Sequence, residues 1–200
     1  MDIASILGFS RFAAIAAFTP GPNNLMLAAS GANFGLNRTL PHIFGITTGF
    51  LLLVLLACFG LASLFATLPN VMEAARWFSL LFLLFLAYKI ATAAPPEGIE
   101  ASRSPISFTQ AMMFQTINPK AIIVIISSVT TYASQAENLF IATSLITLIF
   151  AFVTITSTLL WAYAGSLFGQ LLKNRQHLRI FNFTMAGLLV CSLAPASFTL

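Results

Sequence analysis

Charge is what this chain has least of. Only 7% of its 200 residues are Asp, Glu, Lys or Arg, against 58% that are apolar, and that ratio excludes a water-facing globular surface. Acids are the scarcest of all: Asp2, Glu73, Glu97, Glu100 and Glu137 all fall at ends or in loops. No carboxylate is therefore expected deep in an apolar span, where a metal cation or a doubly positive ligand needs compensation. Cysteine is nearly missing too. Cys58 and Cys191 each lie alone in an apolar run, which argues for buried free thiols and against a disulfide or a metal site. No nucleophile with a base and no pair of acids stands out, so no catalytic residue is assigned. The opening residues Met1-Asp2-Ile3-Ala4-Ser5 lack a basic stretch, and Arg11 interrupts the apolar run, so a cleaved signal peptide is not expected.

What remains is hydrocarbon. Apolar runs cover residues near 3–34, 41–66, 70–91, 108–131, 139–168 and 180–197. A bilayer core of about 30 Å takes roughly 20 helical residues, so most of these runs can span it. They are continuously apolar rather than alternating, which favours helices over barrel strands. The expected fold is an all-α integral membrane protein of about six transmembrane helices with short loops. Arg38, Lys89, Arg103, Lys173, Arg175 and Arg179 gather in loops on one side, and the positive-inside bias makes that side cytoplasmic and both termini external. The net charge of +4 is accounted for by anionic lipid, with no nucleic-acid partner.

The two halves share a pattern. "FSRFAAIAAFTPGPNN" starts at Phe9 and reaches Pro20; "FTQAMMFQTINPKAII" starts at Phe108 and reaches Pro119. Phenylalanines and prolines thus share an offset of about half the chain, a register that pairs Thr19 with Asn118. Each proline interrupts the first span of a three-helix half, and an odd number of spans makes the second half enter from the opposite side. One transporter domain over 1–200 is expected, built of inverted repeats near 1–94 and 105–200. A cytoplasmic linker at 93–107 joins them, and helices 1 and 4 are broken, a pattern that points to a transport site near the bilayer midplane.

Chemistry follows from the breaks. Pro20 and Pro22 donate no N–H and clash with carbonyls one turn earlier, freeing C=O groups near residues 16–19. In hydrocarbon each free group costs several kcal/mol unless it is satisfied. Pro20, Gly21, Pro22, Asn23 and Asn24 are therefore expected to form a polar cage. The N-terminus of the second half-helix, capped by Asn23 or Asn24, would aim its dipoles at an anion such as a carboxylate. Asn118 and Pro119 break the fourth segment, Lys120 places an ammonium there, and Gln115 stands one turn before it. A simple proline kink and a lysine that snorkels to the interface are the plain alternatives. Thr19, Trp161 and Tyr163 are candidates to line the path beside Thr154, Thr156, Ser157 and Thr158. The two aromatics, with Trp77, Tyr88 and Tyr132, also fit interface anchors.

"TPGPNNLMLAASGANFGLNRTLPHIFGITTGF" followed by "AMMFQTINPKAIIV" resembles the LysE/RhtB family of bacterial amino-acid exporters, which carries a PGPN signature in its first helix and an NPK motif about a hundred residues later. Pro20, Gly21, Pro22 and Asn23 match the first motif, followed by Gly35 and Arg38; Asn118, Pro119 and Lys120 match the second. The resemblance spans nearly the whole chain. It implies a multi-pass transporter of the bacterial inner membrane that exports amino acids or close derivatives, driven by the proton gradient and without a cofactor. The shortage of carboxylates then favours small neutral substrates (cysteine, O-acetylserine, homoserine, threonine or leucine) over lysine and arginine. A metal or other ion exporter on the same scaffold is the alternative, with an intramembrane enzyme behind it.

Gly31/Gly35, Gly45/Gly49 and Gly165/Gly169 are spaced for close helix approach, and such faces permit a homodimer. Gly35 also fits a helix C-cap. His42, beside Pro41, reads as an interfacial histidine or a proton relay, and Glu73 with Arg76 as a local ion pair. The topology predicts that a reporter fused after Leu200 is external, and cytoplasmic reporter activity would reverse it.

Overall fold

The computed structural model describes residues 1–61, 77, 81, 84–92, 104–133, 137–171 and 175–191. Most of the run at 70–91, the linker up to residue 103 and the end of the last run lie outside these, as do Glu73, Arg76, Glu97, Glu100, Arg103 and Lys173. Every regular element among the described residues is helical. Two helices, Leu36–Gly60 and Leu139–Gln170, are long and apolar enough to cross a membrane; the number rises to four if each of two bent pairs is one span.

The elements begin and end where local chemistry dictates. Helix α1 (Ile3–Phe18) is capped by Asp2, whose carboxylate accepts from Ser5 N at 2.8 Å. Helix α2 (Pro22–Phe34) starts on a proline, the residue best suited to a first helical position, and stops at Gly35, whose φ of +78° turns the chain directly into α3 (Leu36–Leu56). Gly35 therefore serves as the cap and packs against no neighbouring helix. A short helix, α4, covers residues 84–91. Helix α5 (Phe108–Phe114) opens with a capping box between Ser107 and Gln110. Helix α6 (Pro119–Ser128) again starts on proline, behind Asn118, and a π turn, Val129–Ala133, extends it. Helix α7 (Leu139–Leu171) has 33 residues; at about 1.5 Å per residue it outspans the hydrocarbon layer. Helix α8 (Arg175–Cys191) completes the described chain.

Both bent pairs are the proline-interrupted segments: α1 and α2 meet at 51°, α5 and α6 (with its π turn) at 59°. They run antiparallel. Phe9, in the first half of α1, packs its ring at a tilt against Tyr132 beyond the end of α6, at 5.1 Å between ring centroids. The end of α1 meets the start of α6, and the start of α2 meets the end of α5.

Glycines set the closest helix approaches. A Cβ on Gly165 would collide with the Ala28 carbonyl, one on Gly169 with that of Ala32, and one on Gly31 with that of Ala162, so α2 and α7 lie backbone to backbone and in the same direction. Gly45 and Gly49 do the same for α3 against Phe108 and Met112 of α5. These directions gather the end of α2, the starts of α3 and α5, the end of α7 and the start of α8 at one end of the bundle. Arg38 and Arg179 belong to that end, each with its guanidinium over an aromatic ring one turn away, Phe34 and Phe183.

Three apolar clusters surround the breaks. Phe9, Phe50 and Phe150 form an edge-to-face trio with centroids 4.9 and 5.1 Å apart, in a cluster that also takes residues of α1, α3, α6 and α7. Leu25, Met26, Leu86, Phe114 and Leu189 tie α2 to α4, α5 and α8. Leu27, Ile43, Ile46, Ala111 and Ala162 tie α2 to α3, α5 and α7. Between α2 and α8, the buried amides of Asn33 and Asn182 bond each other reciprocally at 2.7 and 2.9 Å.

The contact of α2 with α7 yields a stability prediction. Gly165→Leu drives a side chain into the Ala28 backbone and should destabilise the protein by about 1–3 kcal/mol or more, an overpacking cost. Among the described residues, nothing lies within 4 Å of a Cβ built on Gly187 of α8, so Gly187→Ala should leave the unfolding midpoint in detergent unchanged or raised. Equal midpoints for the two variants would contradict the packing described.

Candidate functional site

The break in the first span is chemical. Helix α1 ends as the Thr19 amide and hydroxyl both fold back onto the Ile15 carbonyl, at 3.0 and 2.6 Å. Pro20 and Pro22 have no N–H for the carbonyls of Ala16 and Phe18 four residues back and so end the helical ladder, which leaves the carbonyls of Ala17 and Thr19 in need of other donors. Asn24 supplies one amide to both, at 2.8 and 3.0 Å. Ser157 of α7 donates to Ala17 O at 2.7 Å. Lys120 of α6 donates from Nζ to Thr19 O at 2.6 Å, a bond between residues 101 positions apart.

The second break is built differently. Asn118 caps α6 with its own side chain, whose Oδ1 accepts from Lys120 N at 3.1 Å and Ala121 N at 3.4 Å. Helix α2 has no such cap: Gly21 holds that position and no side chain bonds the first-turn amides. The expected capping by Asn23 or Asn24 is thus replaced. Asn24 turns back to α1, and Asn23 reaches across to Gln115. That pairing is reciprocal, Asn23 Nδ2 donating to Gln115 Oε1 at 2.9 Å and Gln115 Nε2 to Asn23 Oδ1 at 3.3 Å. Gln115 is fully buried and also donates to Ala111 O at 2.9 Å. Gly21 lets the stem of Lys120 lie against the backbone, where a built Cβ would come within 2.8 Å of Lys120 Cδ.

A pocket opens where the breaks meet, a space of about 560 Å³ when the open solvent at its mouth is included. Gly21, Pro22, Asn23, Asn24, Asn118 and Lys120 form its polar side; Ala13, Ala16, Ile46, Phe50, Val124 and Phe150 form an apolar wall; Thr154, Ser157 and Thr158 of α7 complete it. Its lining includes no carboxylate, histidine or cysteine, and among the described residues no group of three or more His, Cys, Asp or Glu is placed to share a metal ion. Among the described residues Lys120 is the only charged one that lines it, placed beside the uncapped positive end of the α2 dipole.

The other sequence candidates fall around this pocket. Gln115 buttresses it from behind. Thr19 and Pro20 are exposed at the break, Thr19 taking part through its carbonyl, and Pro119 begins α6. Trp161 packs in the cluster of Leu27 and Ile43, and Tyr163 is half exposed; neither borders the pocket. Ser157 and the aromatic wall carry more of the site than the sequence reading gave them. One signal was available: Thr154, Thr158, Ala162, Gly165 and Gly169 recur every three or four residues, marking the face of α7 that meets α1 and α2.

His42 is fully buried rather than interfacial. Pro41 does not end a helix there; it lies inside α3, so His42 is carried into the bundle.

Comparison with known proteins extends this picture. The cysteine/O-acetylserine efflux protein of Escherichia coli strain K12 is 32% identical over 187 residues, covering 91% of this chain and 92% of its own length. Its namesake from Shigella sonnei strain Ss046 matches equally, and that of Escherichia coli O139:H28 is 31% identical over the same coverage. No solved structure matches the chain. The family profile described as LysE type translocator matches residues 14–196. With two broken, antiparallel helix pairs meeting at a polar pocket in an apolar bundle, and a family match over nearly its full length, the chain is a membrane protein that belongs to the LysE type translocator family.

Proposed function

We propose that the protein exports small neutral amino acids or their derivatives across the bacterial inner membrane, in exchange for protons and by alternating access. The observation that carries this reading is the Lys120 ammonium, held at the junction of the two breaks by a single backbone carbonyl. A lysine in a span needs a partner, and a carbonyl is a weak one. A substrate carboxylate forms a charge-assisted bond roughly twice as strong as a neutral one, and the free amides at the start of α2 add donors on the same side. When Lys120 turns to the carboxylate, Thr19 O keeps its bond from Asn24 and its other lone pair is free to accept from the substrate's ammonium. The side chain then faces Ala13, Ala16, Phe50 and Phe150, which leaves room for a short neutral group and offers nothing to a second positive charge.

Cysteine and O-acetylserine lead the substrate candidates, supported by the names of the relatives; homoserine, threonine and leucine share the same chemistry. Export needs no cofactor beyond the gradient. The architecture that suits it is two inverted three-helix repeats, 1–94 and 105–200, rocking about the crossing point. The basic end of the bundle faces the cytoplasm, and both termini face outward. A metal or ion exporter would have to bind its cation in a pocket where, among the described residues, Lys120 is the only charged lining group, and enzymatic chemistry would need a nucleophile paired with a base, whereas Ser157 and Lys120 each donate to a backbone carbonyl.

Cells overproducing the protein should tolerate toxic levels of neutral amino acids and release more O-acetylserine and cysteine into the medium. Lys120→Ala and Asn23→Ala should cut that release about ten- to a hundredfold at equal membrane abundance, the equivalent of roughly 1.5–3 kcal/mol for a hydrogen bond to a charged group. Release at the wild-type rate in both variants would reject the site. Metal resistance without amino-acid release would favour the ion exporter.

A further inference from the structure

Export against a gradient needs a group that takes up and gives back a proton, and His42 is placed to be that group. It stands one turn before Ile46 and two before Phe50 on α3, both of which line the pocket. The four residues from His42 to Ile46 span about 6 Å of axis, and the displacement is toward the basic end of the bundle. The side chain is 0% exposed, and neither Nδ1 nor Nε2 has a hydrogen-bond partner among the described residues. A neutral imidazole has one N–H to donate and one lone pair to accept with, so both capacities go unmet in an apolar interior, at a cost of about 1–3 kcal/mol each. Leucine or methionine would fill the space without that cost. Among the described residues, the Thr147 hydroxyl is also buried without a partner, and it does not titrate at physiological pH.

The surroundings allow His42 to change charge. Among the described residues, the elements packed against α3 are α2, α5, α6, α7 and the π turn Ala57–Leu61 that continues it and carries Cys58, about four turns beyond His42. Helices α2 and α5 carry no titratable side chain; α6 carries Lys120, bound to Thr19 O, and α7 carries Tyr163, half exposed. On α3 itself, Arg38 lies over the Phe34 ring, 5.6 Å from its centroid. No carboxylate on these elements would trap an imidazolium and no cation is seen to contact it, so its protonation follows access to water. That is the property a reversible carrier needs.

We propose that His42 is the proton-binding residue that couples export to the gradient. This rests on the exporter reading above. With the pocket open outward, water reaches the ring and its free nitrogen takes a proton as substrate leaves. With the pocket open to the basic end, the proton passes to cytoplasmic water and the ring returns neutral for the next substrate. One proton binds and one is released per cycle.

The test uses full-length protein in proteoliposomes with labelled O-acetylserine. Wild type should exchange substrate across the membrane at equal pH and accumulate it when the interior is made acid. In His42→Gln and His42→Asn, exchange should stay close to the wild-type rate while gradient-driven accumulation falls by about tenfold or more and its pH dependence near neutrality flattens. Accumulation retained by either variant overturns the proposal. So does loss of both activities in variants with wild-type unfolding midpoints, which would make His42 structural. A wild-type protein that exchanges substrate but ignores the pH gradient overturns it while leaving the transport reading intact. A wild type that exchanges no neutral amino acid fails the transport reading itself.

Discussion

A peptide carbonyl set free inside hydrocarbon has no water to turn to, and its partner must come from elsewhere in the same protein. Pro20 and Pro22 create that problem for Ala17 and Thr19, and the fold answers it with side chains from three places: Asn24 from the same span, Ser157 from α7 and Lys120 from the other broken span. The second break depends on the first in turn, because Gln115 pairs with Asn23. Neither interruption is self-sufficient. Bringing them together is what allows both to exist at membrane depth, and it concentrates amides, carbonyls and an ammonium at a single crossing.

The pocket follows from the way these bonds are shared. Polar contacts between helices in membranes contribute about 0.6 kcal/mol on average, so exchanging one for a bond to a ligand costs little. A charge-assisted contact with a carboxylate is stronger than the one it replaces. Under the proposed function, the bond from Lys120 to Thr19 supports the empty protein and is the one for which a substrate carboxylate competes. Movement has a natural location as well. Helices α2 and α7 are locked backbone to backbone through Gly31, Gly165 and Gly169, whereas the two bends are held by side-chain bonds that can be exchanged. Hinges of this kind let packed elements rotate as units.

Much of this was legible from residues alone. Composition established helices in lipid, and proline positions located both bends, since a missing N–H acts the same way in any context. Gly35 was ambiguous in sequence, fitting either a packing role or a cap; its positive φ decides for the cap. Other features depend on packing that no local pattern encodes. Asn23 or Asn24 read as the cap, because an asparagine at a helix start has that option; the break instead draws Asn24 back to the carbonyls of Ala17 and Thr19, and Asn23 to Gln115, 92 residues away. Asn118, facing no freed carbonyl of its own, keeps the capping role. His42 beside Pro41 read as interfacial because proline suggests a helix boundary. A proline within the first turns of α3 is tolerated, so the helix carries the ring inward. Ser157 was one hydroxyl among four, and only the approach of α1 singles it out.

The central claim is that the two breaks form one site whose ammonium trades a backbone carbonyl for a substrate carboxylate. A structure of the protein with O-acetylserine bound addresses it most directly. The account predicts the carboxylate within hydrogen-bond distance of Lys120 Nζ and the first-turn amides of α2, with Nζ withdrawn from Thr19 O. A carboxylate bound elsewhere, with Lys120 still on Thr19, would contradict it.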